Sequence, residues 1–298
     1  MDQINPEFNF RVIPRLDIKG PNLVKGIHME GLRVLGKPED FARNYYENGA
    51  DELYYIDAVA SLYERNSLLE IIERTAKEIF IPLCVGGGLR SVEDIRTVLR
   101  AGADKVSINT AAIKTPELIS QASRAFGSST IVVSIEAVRH SDGHYECLTD
   151  YGRQSSGVDA ITWAKQAEDL GAGELIVTSI DQEGTGEGFD LELTSKISQA
   201  AGIPVIASGG AGSAEDIKRV IVAGCADAVS AASIFHYGLL GKHKYDRSQF
   251  AQEGNVEFLK KSGGVALPAN FQPITVRDLK VELIKSGIPC RIEGLADA

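Results

Sequence analysis

Short apolar runs rich in β-branched residues recur along the chain, at Val12–Asp17, Glu52–Asp57, Pro82–Val85, Lys105–Ile108, Ile131–Ala137, Glu174–Ser179, Pro204–Ala207 and Ala228–Ala231. Their lack of polar alternation is the pattern of strands buried on both faces, and so of a parallel sheet. Between most of them, apolar residues fall at three- and four-residue spacing. Ser67–Phe80 offers Leu68, Leu69, Ile71, Ile72 and Ile79. Ser91–Ala101 offers Val92, Ile95, Val98 and Leu99, opened by a capping box of Ser91 and Asp94. Eight strands alternating with helices predict a (β/α)8 barrel, one α/β domain over residues 1–298. The competing architecture, an open doubly wound sheet, uses fewer units and a single glycine-rich nucleotide turn near its start, which this chain lacks.

An internal repeat sharpens the barrel reading. Gly87-Gly88-Leu89-Arg90-Ser91-Val92-Glu93-Asp94-Ile95 matches Gly209-Gly210-Ala211-Gly212-Ser213-Ala214-Glu215-Asp216-Ile217, and Ala101-Gly102 then matches Ala223-Gly224. Upstream, Gly49-Ala50-Asp51-Glu52-Leu53 resembles Gly171-Ala172-Gly173-Glu174-Leu175. The chain reads as a half-barrel written twice, and in that register Asp17, ending strand 1, faces Glu136, ending strand 5. One segment breaks the pattern: Gly238–Pro273, polar and twice glycine-rich, follows strand 8 and is too long for an ordinary connection. It is expected as an excursion on the catalytic face, with the last helix at Ile274–Ser286.

Charge narrows the partners. With 31 basic against 41 acidic residues, a net charge of −10 and a pI near 5.1, the chain has no basic excess for nucleic acid or an anionic membrane, and neither is expected as a partner. Cys84, Cys147, Cys225 and Cys290 form no CxxC pair, and the histidines show no HxxH or HExxH spacing. No metal or other cofactor is therefore expected. Scattered single cysteines, no apolar h-region near Met1 and no run of 18 apolar residues point to the cytoplasm.

The glycine turns carry the first candidate chemistry. Gly86-Gly87-Gly88 and Ser208-Gly209-Gly210 follow strands 3 and 7, and strands 4 and 8 end in Asn109-Thr110 and Ala232-Ser233. Glycine lets the backbone approach an anion, and exposed N–H groups bind phosphate. Either turn alone could be a tight turn and nothing more. Two equivalent pairs predict a ligand with a phosphate at each end. Asp17 and Glu136, between the two sites, are the candidate acid and base, against the plainer reading of solvated strand-end carboxylates. Lys19 and Lys25 could contact phosphate or substrate. Among the other strand-end acids, Asp181 and Glu183 rank above Asp57, because Gly184-Thr185-Gly186 beside them suggests a mobile loop.

Leu16-Asp17-Ile18-Lys19, Val24-Lys25-Gly26, Val85-Gly86-Gly87-Gly88, Ala103–Ala112, Thr178-Ser179-Ile180-Asp181, Ala207–Gly212 and the closing Arg291–Leu295 together resemble the cyclase subunit, HisF type, of imidazole glycerol phosphate synthase. The resemblance runs from about Arg11 to Leu295, outside Gly238–Pro273. It implies a lyase that uses ammonia made by a separate glutaminase subunit and passed through the barrel. The ammonia attacks a bisphosphorylated ribulosyl-formimino carboxamide nucleotide, releasing imidazole glycerol phosphate and an aminoimidazole carboxamide ribotide. It places phosphate sites on Gly88, Asn109 and Thr110 and on Gly210, Ala232 and Ser233, the first catalytic aspartate on Asp17, and an ammonia gate on Arg11, Glu52, Lys105 and Glu174. The chain departs from the family at Glu136, where the second catalytic aspartate would stand, at Glu183, and in Gly31–Pro38, which lacks the aspartate-rich form of that loop. The segment Arg15–Gly36 and the Ser134-Ile135-Glu136 strand look more like a paralogous branch associated with sugar amidation in surface-polysaccharide synthesis, which also partners a glutaminase. There the barrel would be an enzyme, or an ammonia conduit serving a third, amidating protein. A related sugar-phosphate isomerase would need the same phosphate sites and carboxylates but no gate.

Overall fold

A computed structural model of the chain describes residues 9–60, 68–242 and 270–292. The first half holds β1 (Arg11–Lys19), β2 (Asn22–Ile27), β3 (Glu30–Gly36), α1 (Pro38–Glu47), β4 (Leu53–Asp57), α2 (Leu69–Ala76), β5 (Leu83–Gly86), α3 (Val92–Arg100) and β6 (Lys105–Ile108), followed by α4 (Thr110–Lys114) and α5 (Glu117–Phe126). The second half repeats the scheme with β7 (Ile131–Arg139), β8 (Tyr145–Thr149), β9 (Gln154–Asp159), α6 (Ala160–Asp169), β10 (Glu174–Ser179), α7 (Leu191–Ala200), β11 (Val205–Ser208), α8 (Ala214–Val222), β12 (Ala228–Ala231), α9 (Ser233–Lys242) and α10 (Val276–Lys285).

Strands β1, β4, β5, β6, β7, β10, β11 and β12 pair in parallel in that order, and β12 returns to β1, closing an eight-stranded barrel with helices outside it. All eight predicted strands are present, three of them at the predicted bounds. Because successive side chains alternate between faces, each strand feeds two cores. Val12, Leu16, Tyr55, Val106, Val177 and Val229 point outward against Ile72, Ile95, Trp163, Leu193, Ile217 and Leu279 of the helices. Ile13, Tyr54, Cys84, Val132, Ile176, Ile206 and Ala228 point inward and fill the barrel axis.

Two antiparallel hairpins lie beyond the predicted elements, and they obey the repeat. β2–β3 extends β1, with Asp17 opposite Val24, and β8–β9 extends β7, with Glu136 opposite Leu148. The tight turns after strands 3 and 7 are equivalent as well. Gly87 has φ +96° and Gly209 φ +89°. A Cβ at Gly87 would lie 2.6 Å from the Asp57 carbonyl oxygen, and one at Gly209 would lie 2.8 Å from that of Ser179. Only glycine fits such an approach without backbone movement.

The capping box predicted at Ser91 is half formed: Ser91 Oγ accepts from the Asp94 N–H, but the Asp94 carboxylate turns to the N–H of Arg90. Its repeat mate is complete, with Ser213 and Asp216 each accepting from the other's backbone. Of the excursion expected at Gly238–Pro273, only the two ends fall among the described residues. Gly238–Lys242 belongs to α9, where Gly238 leaves room for the Ile274 carbonyl oxygen, 2.9 Å from the place a Cβ would take. Residues 243–269 lie outside the described residues, as does part of the Arg291–Leu295 match.

Candidate active site at the barrel mouth

Asp17 sits at the carboxyl end of β1 with 1% of its surface exposed. Arg15, two residues earlier on the same inward face, donates from Nε to Asp17 Oδ1 at 2.8 Å. Lys25, brought in by β2, places Nζ 3.6 Å from Asp17 Oδ2 and forms a short ion pair with Glu183. The four charges cancel inside a fully buried cluster, the condition under which buried ions are tolerated. Burial alone would raise the Asp17 pKa, but Arg15 and Lys25 outweigh it and hold Asp17 below the ordinary carboxylate value. Burial alone would lower the pKa of Lys25, but Glu183 and Asp17 outweigh it and raise it.

Glu136, at the end of β7 on the opposite wall, has a different environment. It is buried, no ion pair to it forms among the described residues, and Asn109 Nδ2 donates to its Oε2 at 3.0 Å, joined by a backbone hydrogen bond from Gly152. Burial pushes its pKa from 4.5 up to about 7, with the Asp17 charge adding to the rise. Near neutral pH one carboxylate is therefore held ionised and the other is poised to carry a proton, the division an acid–base pair needs.

The two glycine turns differ in the space they enclose. Gly88, Asn109 and Thr110 line a cavity of about 350 Å³ that also takes in Arg90, Lys114, Glu136, Asp150 and Tyr151. Gly209, Gly210, Ala232 and Ser233 surround only about 10 Å³, shared with Arg15, Glu183 and Phe271. Asp181 lines neither space. It is exposed, and its carboxylate accepts from the Arg139 N–H at 2.9 Å. Lys19 is exposed at the end of β1. Among the described residues no group of three His, Cys, Asp or Glu side chains could hold a metal ion, and no helix is long and apolar enough to cross a membrane.

At the other end of the barrel, Arg11, Glu52, Lys105 and Glu174 close a ring of alternating charge. Arg11 bonds to Glu52 at 3.2 Å and to Glu174, while Lys105 lies 2.9 Å from Glu52 and 2.7 Å from Glu174. The ring lies beneath the apolar plug of Ile13, Tyr54 and Ile176, and the Tyr54 hydroxyl donates to Ser107 Oγ at 3.0 Å.

The family described as "Histidine biosynthesis protein" matches residues 11–241. The chain is 59% identical over 210 residues to an imidazole glycerol phosphate synthase subunit HisF of Legionella pneumophila, covering 70% of this chain and 99% of that one. It is 53% identical over 230 residues to the subunit of that name from Dehalococcoides mccartyi, covering 77% and 90%. It is 48% identical over 227 residues to the one from Alkaliphilus metalliredigens, covering 76% and 90%. The chain belongs to the HisF family.

Within a HisF-type barrel, the repeat brought Asp17, Glu136 and the two turns to one mouth, and the residues carried over as a gate form one ring. The mouth also contains residues that the sequence reading passed over. Arg15 shares the inward face of β1 with Arg11, Ile13 and Asp17, so period-two counting would have found it. Tyr151 enters on the β8–β9 turn, and Arg90 and Lys114 follow the glycine turn and Thr110. None of these carries a motif.

Proposed function

We propose that this chain is the synthase subunit of an ammonia-dependent enzyme of the imidazole glycerol phosphate synthase type. A HisH-type glutaminase docks on the amino-terminal face, ammonia passes the Arg11–Glu52–Lys105–Glu174 ring, and it reacts at the mouth with a phosphorylated substrate. The observation that carries this reading is one barrel with a charged ring at one end of its axis and, at the other, a cavity lined by Glu136, whose protonation bias is opposite to that of Asp17 at the end of β1. Glu136 is suited to give a proton to a leaving group, and Asp17 to take one from the attacking nitrogen. Exposed apolar side chains support a docking face at the ring end. Phe80 (81% exposed) and Val222 (63%) follow or end helices that lead back to strand starts, and Ile284 (43%) lies near the end of the last helix, α10. Ammonia transit requires the axial packing around Tyr54 to move.

A second reading, in the amidation-associated branch, is favoured by two observations. Glu136 is one methylene longer than the aspartate at the family's second catalytic position, and Asp17 is held by Arg15. In that reading the barrel delivers ammonia to a third protein. Steady-state turnover of the ribulosyl-formimino nucleotide with ammonium salt as nitrogen source tests the proposal. Product formation by the native chain, lost in Glu136→Gln, is expected of the cyclase. No product from the native chain or from Glu136→Asp removes the cyclase activity and leaves only the delivery role.

A further inference from the structure

Arg15 lies across the bore of the barrel. It follows Ile13 on the inward face of β1 and is 2% exposed. Its Nε donates to Asp17 Oδ1 at 2.8 Å, and its Nη1 reaches Thr178 Oγ1 at 3.4 Å. Thr178 stands on β10, three strands round the barrel from β1, so the side chain spans the axis and does not follow its own wall. On the other side the guanidinium carbon lies 5.9 Å from the centroid of the Tyr54 ring, on β4. Ser208 of β11 and Ser230 of β12 line the same space.

Arg15 and the charged ring are the two ends of one inward-facing stair. The strand register steps from Arg15 to Tyr54, from Tyr54 to Cys84 and from Cys84 to Lys105 of the ring, over four adjacent strands. In a barrel of tilted strands such a row descends along the axis. What holds the upper end in place belongs to the mouth. The bond to Asp17 is charge-assisted and short, while the bond to Thr178 is long and weaker. Asp17 also keeps Lys25 at 3.6 Å, so its charge is not stranded when Arg15 leaves.

We infer that Arg15 is a positioning residue, an inner barrier that closes the mouth end of the bore, latched by Asp17 and released when the Asp17 carboxylate turns to substrate. The barrel then has two barriers in series, the ring and Arg15, and ammonia reaches the mouth only when a substrate is there to receive it. This deepens the proposed function and rests on its claim that ammonia travels the bore.

Cys84 reports on the bore. It is 1% exposed and lies between Arg15 and the ring on that stair. Burial holds its thiol well above the ordinary pKa, and the charges that act on it most are those of Glu52, Lys105, Glu174 and Arg11, so a change at Arg15 acts on access. The test is labelling of the full chain with methyl methanethiosulfonate, each thiol followed by peptide mass mapping. Exposed Cys225 gives the unhindered rate, and Cys147 and Cys290, buried outside the barrel axis, report general loosening. In Arg15→Ala, Cys84 should label roughly tenfold faster than in the native chain, because opening no longer breaks a charge-assisted bond. In Asp17→Asn, which keeps the shape of the latch and removes its charge, it should label about threefold faster. Cys147 and Cys290 should keep their native rates in both. A Cys84 rate unchanged in either variant would overturn the inference, and so would all three buried thiols speeding up together. If Arg15→Ala does not fold, Asp17→Asn decides alone. The labelling needs no turnover, so an unchanged Cys84 removes the barrier and leaves the proposed function standing. The predicted rates, beside a glutaminase that the native chain does not stimulate, keep the barrier and remove ammonia as its passenger.

Discussion

Glu136 has both a catalytic and a stability consequence. Its folded pKa, about 7, lies above the ordinary 4.5. Below about pH 4.5 the carboxyl is protonated folded or unfolded, so its burial costs no charge. As pH rises towards 7, only the unfolded state ionises freely, and stability is lost. Glu136→Gln should thus melt at a higher temperature than the native chain at pH 8, by an amount equivalent to roughly 1–3 kcal/mol, and nearly alike at pH 4.5. Equal melting differences at both pH values would show that Glu136 is not held protonated. If Glu136 is the acid, kcat/KM should fall as pH rises through about 7. Glu136→Asp moves the carboxyl by on the order of 1 Å, a shift worth about a hundredfold in rate when two groups straddle one substrate. That variant should cyclise the nucleotide faster than the native chain; a slower rate would show that glutamate is the residue this pocket is built around. Asp17 and Glu136 were legible because the repeat gave them equivalent positions. The Arg15 clamp was missed because a buried arginine inside a strand reads like an outward one until the strand's faces are counted.

At the scale of elements, the barrel strands were readable because burial on both faces writes itself as continuous apolar runs. The hairpins were not, for a physical reason. The turn of β2–β3 places His28 and Met29 at φ +49° and +62°, and that of β8–β9 places Asp150 and Tyr151 at +53° and +59°. Such turns are normally announced by Asn-Gly or Asp-Gly. Here other residues occupy them, held by contacts such as His28 N–H to the Glu183 carbonyl at 2.8 Å. Left-handed backbone at non-glycine residues is strained, and it lies where the hairpins meet the mouth. The caps of α3 and α8 give an element-scale prediction. Ser213→Ala removes a reciprocal capping box and should cost about 1 kcal/mol in urea unfolding. Ser91→Ala removes one bond and should cost less. An equal loss would mean that the reciprocal bond adds nothing.

The molecule as a whole is a two-fold design whose halves have diverged. Closure of the barrel, the paired hairpins and the paired glycine turns keep the symmetry. The mouth breaks it: an ion cluster lies around Asp17 on one side, and an open cavity around Glu136 on the other. The sequence made the symmetry visible and not its loss, because Arg15 of β1, Glu183 after β10, Ser208 of β11 and Phe271 crowd the second turn only once folded. In the proposed function, the ring at the far end is where a glutaminase docks. The most direct measurement is glutamine hydrolysis by a HisH-type glutaminase titrated with this chain. Stimulation that saturates at one barrel per glutaminase, and that is lost in Lys105→Glu while that variant still folds, is the predicted result. A glutaminase whose rate is unchanged by the native chain at saturating concentration would contradict an ammonia-fed barrel.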